Sequence, residues 1–407
     1  MSGAIKFLEN LQKNTYSRMS MTPQEINKQY FESLDQMVKG EMMSRQDQFV
    51  KPEEISRLKN DMKKRIRCLQ SIKLPTEYEI VANYDSIQYF ADLIEKAIPA
   101  FRFGDKTTNV EYTLKDLNMN IVRPIFGTLP SRNLIAGAYS FDNGEYLIVF
   151  ESGLFHFCNL LTKVIAQAFP YEKTENGVHQ EFDEELVLEK TKNETQITTR
   201  FQELVIAYLT TGFDKLPPPY PHDASYIMLA GHLREAMEVF ILGHEYAHIL
   251  LRHVESGKSD KKILSSEDIS NVVFSWKQEL DADGLGLPLM LLALKLKGRE
   301  LDNISYSGAE AFFSGYEIIE RGKAILKYGS DYLYWKHGKK DGRLSDHPSA
   351  ETRRKNIRKL MIHNYGPESL KLGILVEKII KILWERTKPL LLDLYTEKKP
   401  LHKKWTL

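Results

Sequence analysis

Hydrophobic residues at helical spacing dominate both ends of this chain. Over residues 1–105, apolar positions recur every three or four residues between lysine, glutamate and glutamine, which is typical of amphipathic helices. Pro23 and Pro52, each followed closely by glutamate, mark two helix starts. Helical spacing returns beyond residue 284, and the chain finishes in a basic tail. We predict a helical N-terminal region over 1–105 and a C-terminal helix with its tail over 366–407.

The middle of the chain has a different pattern of residues. Between about 108 and 150, β-branched and aromatic residues are broken by turn signals, ending in Asp142-Asn143-Gly144 and the strand formers EYLIVF. This pattern predicts a small mixed β-sheet with a strand at about 145–150, inside a domain over 106–365. A strongly polar stretch at about 171–200 is predicted to be an insertion, either mobile or a solvated helix. The predicted fold class is α+β and mostly helical.

A long predicted helix from Ala224 to His253 contains the main chemical motif, GHEYAHILLRH. His244 and His248 are four positions apart, so both imidazoles project from one face and can bind one zinc ion. Glu245, between them, is placed to take a proton from metal-bound water. Because the flanks are apolar, two buried histidines and a carboxylate without a metal would be costly. The motif predicts one Zn²⁺ per chain.

A third protein ligand has to come from outside this helix. A ligand soon after the second histidine is excluded, because Leu251 and Val254 stand where that pattern needs glycine and histidine. Glu279, in ELDADGLGLPLM, opens an apolar helix, with Asp283 one turn later on the same face. We predict that Glu279 binds the metal and that Asp283 accepts the spare ring N–H of a zinc-bound histidine. The helix dipole alone also favours first-turn carboxylates, but their coexistence with HExxH favours ligation.

Two further histidines lie near the motif in sequence. His253 is five positions after His248, and His232 is twelve before His244. On one continuous helix both are rotated well away from the metal-binding face. They are predicted to be ordinary helix-surface residues.

Three motifs in the same order resemble the family of gluzincin metallopeptidases that includes HtpX and the CAAX prenyl endopeptidase. They are GHEYAH, ELDAD and DHPSAETRRKNI. The resemblance covers roughly residues 130–360 and implies a zincin-type metalloprotease core. It also implies that His347 and Arg353 approach the active site and hydrogen-bond a substrate carbonyl or an oxyanion. A more distant similarity, through the zinc motif alone, is to the Lit-type phage-exclusion peptidases.

The same resemblance implies where a substrate binds. In family members an edge strand pairs with an extended substrate through backbone hydrogen bonds, and NGEYLIVFESGLF is similar to that strand and the helix after it. Here the chain departs from the family, because about 90 residues separate the strand from HExxH and the membrane helices of the best-known members are absent. The predicted substrate-binding residues are Tyr146, Leu147, Ile148, Val149 and Phe150.

Composition narrows the setting in which such a site would act. Basic residues number 56 and acidic residues 55, for a net charge of +1, so no overall field attracts nucleic acid or an acidic membrane. The longest apolar stretch, 285–294, is far shorter than the roughly 20 residues of a membrane span. The chain has two cysteines, Cys68 and Cys158, in chemically unlike surroundings, and it starts without a secretory leader. Both observations predict a soluble, cytoplasmic protein.

These features together predict a zinc-dependent endopeptidase that hydrolyses peptide bonds of a cytoplasmic protein. Two alternatives stay open: a non-catalytic interaction protein stabilised by zinc, and a zinc hydrolase with a non-peptide substrate. The intact Glu245 argues against the first, because a structural site needs no general base. The second would have no use for a substrate-binding strand.

Overall fold

Helices make up most of this chain, and its strands are short. The computed structural model describes residues 2–17, 19, 21–39, 52–105, 110–113, 122–131, 134, 136–174, 177–211, 224–255, 275–299, 303–331 and 348–399. The α-helices are α1 (Gly3–Tyr16), α2 (Pro23–Lys39), α3 (Pro52–Gln70), α4 (Val81–Ala100), α5 (Ser152–Gln167), α6 (Glu184–Asn193), α7 (Thr195–Thr211), α8 (Ala224–Leu250), α9 (Trp276–Leu296), α10 (Asn303–Tyr328), α11 (Ala350–Tyr365) and α12 (Lys371–Thr396). The strands are β1 (Arg102–Asp105), β2 (Val110–Thr113), β3 (Ile125–Leu129), β4 (Ala136–Ser140), β5 (Tyr146–Glu151), β6 (Tyr171–Thr174) and β7 (Gly177–Gln180). The fold is mostly helical with a small mixed sheet, as predicted.

A three-stranded sheet in the order β3-β5-β4 shows that the predicted edge strand at 145–150 is wrong. β5 lies at the centre, parallel to β3 on one side and antiparallel to β4 on the other. Ile148, for example, is opposite both Phe126 and Ala138. The residues enclosed between neighbouring strands, and therefore unable to pair with a substrate, are Tyr146, Leu147, Ile148, Val149 and Phe150.

Two features of β5 agree with its central place in this sheet. Leu147 to Glu151 are all buried, which is typical of a strand covered on both faces and not of an alternating, half-exposed one. The turn at Asp142-Asn143-Gly144, in which Gly144 has a φ of 79°, folds β4 and β5 into a hairpin. β4 is consequently at an edge, since no other described strand pairs with its second side.

Different helices cover the two faces of the sheet. Leu147 points to α1, whose Leu8 packs so closely on Gly127 that a Cβ there would lie 2.3 Å from Leu8 Cδ1. Ile148 points to the opposite face, as alternate residues of a strand do, and joins a larger core with α4, α5 and α8. The sheet is therefore enclosed between the N-terminal helix and the main helical body.

The main core surrounds α8, which packs against α4, α5, α9, α10 and β4. Because neighbours lie on nearly every side, the apolar residues of α8 do not form a single stripe. This core extends from Ile87 in α4 to Leu391 in α12, so residues from all three predicted regions, 1–105, 106–365 and 366–407, contribute to it. Among the helices described, none has the length and apolar character needed to cross a membrane.

The polar stretch at 171–200 forms regular elements. The hairpin β6–β7 is followed by α6, which Asp183 caps by accepting a hydrogen bond from the Leu186 N–H (3.0 Å). Val187 and Thr191 of α6 are buried, and the helix packs against α7 and α12. This stretch is attached to the helical body by its apolar positions.

A buried carboxylate, Glu79, joins α1 to the sheet. It accepts hydrogen bonds from the Thr128 N–H and from the Gln12 side-chain amide, both at 2.7 Å. Gln12 also donates to the Thr128 carbonyl oxygen (2.8 Å). Burial raises the pKa of Glu79 to about 7, although these hydrogen bonds favour the ionised form. The network connects α1, the loop before α4, and β3.

We expect Glu79 to make the stability of the protein depend on pH. Its folded-state pKa of about 7 lies above its ordinary value of 4.5, so the folded protein binds this proton more tightly than the unfolded chain. The stabilisation is complete below about pH 4.5 and is lost as the pH rises to 7, a change of about 3 kcal/mol in the free energy of unfolding. Denaturant unfolding between pH 5 and 8 should give a flatter pH profile for Glu79→Gln than for wild type. Identical slopes would contradict this assignment.

Candidate metal centre

Helix α8 carries two histidines and a glutamate in its last two turns. His244, Glu245 and His248 are all buried. The Nε2 atoms of His244 and His248 are 3.0 Å apart, because residues separated by one helical turn project to the same side. The two imidazoles therefore converge on one point.

Helix α9 brings a carboxylate to the same point. Ser275 begins the helix with a capping box, in which its hydroxyl accepts from the Gln278 N–H and the Gln278 side chain accepts from the Ser275 N–H (2.9 Å). This start fixes Glu279 in the first turn. Its Oε2 lies 3.5 Å from His244 Nε2, and its Oε1 lies 3.8 Å from His248 Nε2.

The three donor atoms fit a divalent metal ion such as zinc. One atom each from His244, His248 and Glu279 lies within 4.8 Å of the other two. Tetrahedral zinc bonds of about 2.0–2.2 Å put donors roughly 3.3 Å apart. The two Nε2 atoms are 3.0 Å apart, and the two oxygens of Glu279 lie 3.5 Å from the first and 3.8 Å from the second, so the separations are close to that value. Imidazole nitrogen and carboxylate oxygen are also donors that zinc accepts.

Two glycines allow α9 to approach α8 closely enough for this arrangement. A Cβ at Gly243 would lie 2.9 Å from the Gly286 carbonyl oxygen, and a Cβ at Gly286 would lie 2.8 Å from the His244 backbone nitrogen. Backbone atoms in a packed core cannot move aside as a flexible side chain can, so a methyl group at either position separates the helices. Gly284, by contrast, has only an ordinary contact of 3.8 Å with Leu360.

Asp283 and Arg353 lie directly behind the donor atoms. Asp283 Oδ1 is 2.9 Å from His244 Nδ1, so it accepts the ring N–H and leaves Nε2 for a metal. Arg353 binds Asp283 through two nitrogens, at 2.6 and 2.8 Å, and its Nη1 is 3.2 Å from Glu279 Oε2. The guanidinium also lies over the ring of Phe313, 5.1 Å from its centroid.

These contacts give Arg353 surroundings different from those that the family resemblance implies. The resemblance assigns it to a substrate carbonyl or an oxyanion, whereas in the structure Asp283 and Glu279 hold its guanidinium in a fixed place. Its position beside His244 and Glu279 favours a role in orienting them. His347, the other residue assigned to the substrate, lies outside the described residues.

The helix that carries Arg353 is anchored by two more arginines. Arg354 is buried and contacts Glu317 in α10 (2.9 Å) and Glu377 in α12 (3.0 Å). Arg358 contacts Glu310 in α10 at 2.6 Å and Glu377 at 2.7 Å. Breaking such a buried network leaves uncompensated charges, so it holds α11 firmly against its neighbours.

Neighbouring charges shift the pKa values of the two imidazoles in opposite directions. Burial and then the charge of Arg353 disfavour protonation of His244, but the hydrogen bond that its ring donates to Asp283 and the charges of Asp283 and Glu279 together raise its pKa. For His248, burial followed by the charge of His244 holds the pKa well below its usual range, so this ring is neutral and offers a lone pair. The pKa of Asp283 is lowered, because Arg353 and His244 together outweigh its burial.

Glu245 lies close to the edge strand β4. Burial, and then the negative charge of Glu245, raises the pKa of the Tyr139 hydroxyl in β4. β4 also packs against α8, and the Ser140 hydroxyl donates to the Val254 carbonyl oxygen just beyond that helix (2.8 Å). The strand beside the helix that carries His244 and His248 is therefore β4.

His253 is a buried neighbour of His248, although helix periodicity predicted that it lies on the surface. It is buried, with its Nδ1 3.0 Å from His248 Nδ1. The surface prediction was wrong because α8 ends at Leu250, so a helical projection does not extend to residue 253. Burial also lowers the pKa of His253 and keeps its ring neutral. The polar run after Leu251 was the available sequence signal for a helix end.

Comparisons with protein-family models, with curated proteins and with solved structures find no match. The resemblance to gluzincin peptidases therefore rests on three short motifs. The structure brings Glu279 and Asp283 of the second motif against His244 and His248 of the first. Arg353 of the third motif joins the same cluster.

We expect Gly286→Ala to damage the metal centre and Gly284→Ala to leave it intact. A methyl group at 286 separates α9 from α8 and moves Glu279 away from the histidines, whereas position 284 has room. Zinc affinity of the Gly286 variant should fall about tenfold or more, and its free energy of unfolding by about 1–3 kcal/mol. A chromophoric chelator in competition measures the first quantity and denaturant unfolding the second. Both variants gain the same helix propensity, so equal zinc affinities would refute the packing argument.

Proposed function

We propose that this protein is a zinc-dependent endopeptidase. The observation that supports this most strongly is the convergence of His244, His248 and Glu279, with donor atoms within 4.8 Å of one another, beside the buried carboxyl group of Glu245. Within the described part of the chain the cluster has three members. Catalytic zinc sites use three protein ligands and keep one position open, while structural sites use four. The presence of Glu245 beside this cluster favours an enzyme over a protein that zinc merely stabilises, because a structural site needs no general base.

A bound zinc ion supplies Lewis acidity, which polarises a carbonyl oxygen and lowers the pKa of a water molecule. Glu245 accepts the proton that the attacking water loses and returns it to the leaving amine. One water molecule is thus added across the peptide bond, with its oxygen on the carbonyl carbon and its protons on the products. Glu245 is the general base and then the general acid of this proposal.

Asp283 and Arg353 have supporting roles in this proposal. Asp283 holds His244 with Nε2 directed at His248 and Glu279, and Arg353 orients Asp283 and Glu279. The carboxylates of Glu279 and Asp283 contact a single guanidinium, that of Arg353, and Glu245 is a third buried carboxyl group, next to His244 in α8. A dication offsets the two negative charges that remain, so the buried charges themselves favour a divalent ion.

On this proposal, the substrate binds as an extended strand that pairs with the open edge of β4. The Phe141 N–H donates to the Glu145 carbonyl oxygen at the hairpin end (3.0 Å). Since backbone groups alternate along an antiparallel pair, Ala136, Ala138 and Ser140 direct theirs to the open edge. An extended peptide bound there lies beside α8 and Glu245, and main-chain pairing favours a peptide over other substrates.

A cytoplasmic protein is the substrate class that we propose. Cys68 and Cys158 are both free thiols, which supports a reducing compartment. The near balance of basic and acidic residues gives no reason to prefer a nucleic acid.

We expect the purified protein to hold one zinc ion per chain. Glu279→Ala should lose most of the metal, because two histidines alone bind zinc weakly, while Glu245→Gln should retain it. Wild type should cleave a protein in a cytoplasmic extract, and Glu245→Gln should do so about 10²–10⁴-fold more slowly. Elemental analysis and time courses of proteolysis measure the two effects. Wild type without zinc would refute the metal centre, and unchanged cleavage by Glu245→Gln would refute the general base.

We expect Ala136→Pro to abolish protein cleavage and to spare zinc binding. Proline removes an N–H that points to the open edge of β4 and leaves the β4–β5 ladder intact. Gly137→Pro is the matched control, because it removes an N–H from that ladder and should lower the unfolding temperature. Cleavage rate, zinc content and thermal unfolding are measured for both variants. Wild-type cleavage by Ala136→Pro would exclude β4 as the docking strand.

A further inference from the structure

The chain reverses direction immediately after the metal-binding helix. Beyond Leu250, the end of α8, Arg252 adopts a left-handed backbone conformation with a φ of 57°. The His253 N–H donates to the His248 carbonyl oxygen and the Arg252 N–H to that of Ile249, both at 2.9 Å. This pair of hydrogen bonds is a Schellman turn. It folds His253 back over the end of the helix and onto the ring of His248.

The turn forms although its left-handed position is occupied by Arg252 and not by glycine. Glycine is favoured at the left-handed position, and a residue with a side chain costs about 1–2 kcal/mol there. Such strain persists where surrounding contacts hold the backbone, and it is common at functional sites. Here the residues after Arg252 are the buried His253 and Val254, so contacts inside the protein hold the turn.

The relative position of the His248 and His253 rings indicates which ring nitrogen of each carries the proton. When His248 Nε2 gives its lone pair to a metal, the proton of the neutral ring is on Nδ1. That proton points to His253 Nδ1, 3.0 Å away. His253 Nδ1 is then the acceptor, and its own ring proton is on Nε2.

We propose that His253 is a positioning residue that accepts the Nδ1–H of His248 and so holds that ring with Nε2 directed at the metal. This inference rests on the proposed zinc centre. His253 does for His248 what Asp283 does for His244. A carboxylate at that place would add a further negative charge to a site that already holds three. A neutral imidazole fixes the ring without adding charge.

Two variants of similar size separate hydrogen bonding from packing. In His253→Asn, the side-chain oxygen can take the place of Nδ1 and accept the proton, whereas His253→Leu fills the space with no acceptor. Zinc affinity, measured by chelator competition, should fall about 10–100-fold in the Leu variant and remain near wild type in the Asn variant. The visible spectrum of the cobalt-substituted protein should change in the Leu variant alone, because only there is the His248 ring free to reorient.

Each outcome decides the proposal. Equal losses in both variants would assign His253 to packing, and wild-type affinity in the Leu variant would remove it from the metal centre. Failure of wild type to bind zinc would overturn the proposed function and this inference with it, whereas the first two results leave the zinc centre standing. A measurement on zinc-loaded wild type does not depend on folding of the variants. With ¹⁵N-labelled histidine, NMR should find the proton of His248 on Nδ1 and that of His253 on Nε2, and the opposite tautomers would refute the proposal.

Discussion

The close contact between α8 and α9 at Gly243 and Gly286 is the constraint on which the cluster of His244, His248 and Glu279 depends. Without side chains at these positions, the backbone of α9 reaches the backbone of α8 at the level of His244. That approach brings Glu279 within 3.8 Å of both imidazoles and Asp283 to within 2.9 Å of His244 Nδ1. A carboxylate side chain is short, so an ordinary helix separation of 8–10 Å between axes would make this convergence harder to achieve.

Close packing of this kind buries charge, and the rest of the site is arranged to compensate for it. Arg353 reaches the site from α11 and contacts Glu279 and Asp283 of α9. α11 is in turn held by Arg354 and Arg358, which contact carboxylates on α10 and α12. The guanidinium of Arg353 is thus fixed by elements far apart in the chain. A buried charge that is held by a network tolerates little change in any of its members.

The sheet and the end of α8 complete the surroundings. A hairpin turn folds β4 against β5, which leaves β4 at the edge of the sheet and packed against α8. The Schellman turn after α8 brings His253 to the opposite ring nitrogen of His248. Two local turns therefore decide which strand packs against α8 and which additional histidine lies beside His248. Both turns involve only a few residues, yet each reverses the direction of the chain.

Periodicity and motif spacing were sufficient for the local part of this structure. The helical ends, the β region before residue 151, the pairing of His244 with His248, and the placement of Glu279 and Asp283 one turn apart all follow from 3.6-residue and two-residue repeats. Such repeats act within one element. They are therefore readable from the chain alone.

Only the tertiary structure decided which elements meet. The buried run of β5 is compatible with an edge or a centre until its partners are known, and it proved to be central because both β3 and β4 pair with it. His253 does not follow the helical pattern, because α8 ends at Leu250. Arg353 lies against Asp283 because buried ion pairs fix α11. The importance of Gly243 and Gly286 is likewise a property of two helices together. Contacts between distant segments depend on shape and charge at both surfaces, and a repeat within one segment carries no information about the other.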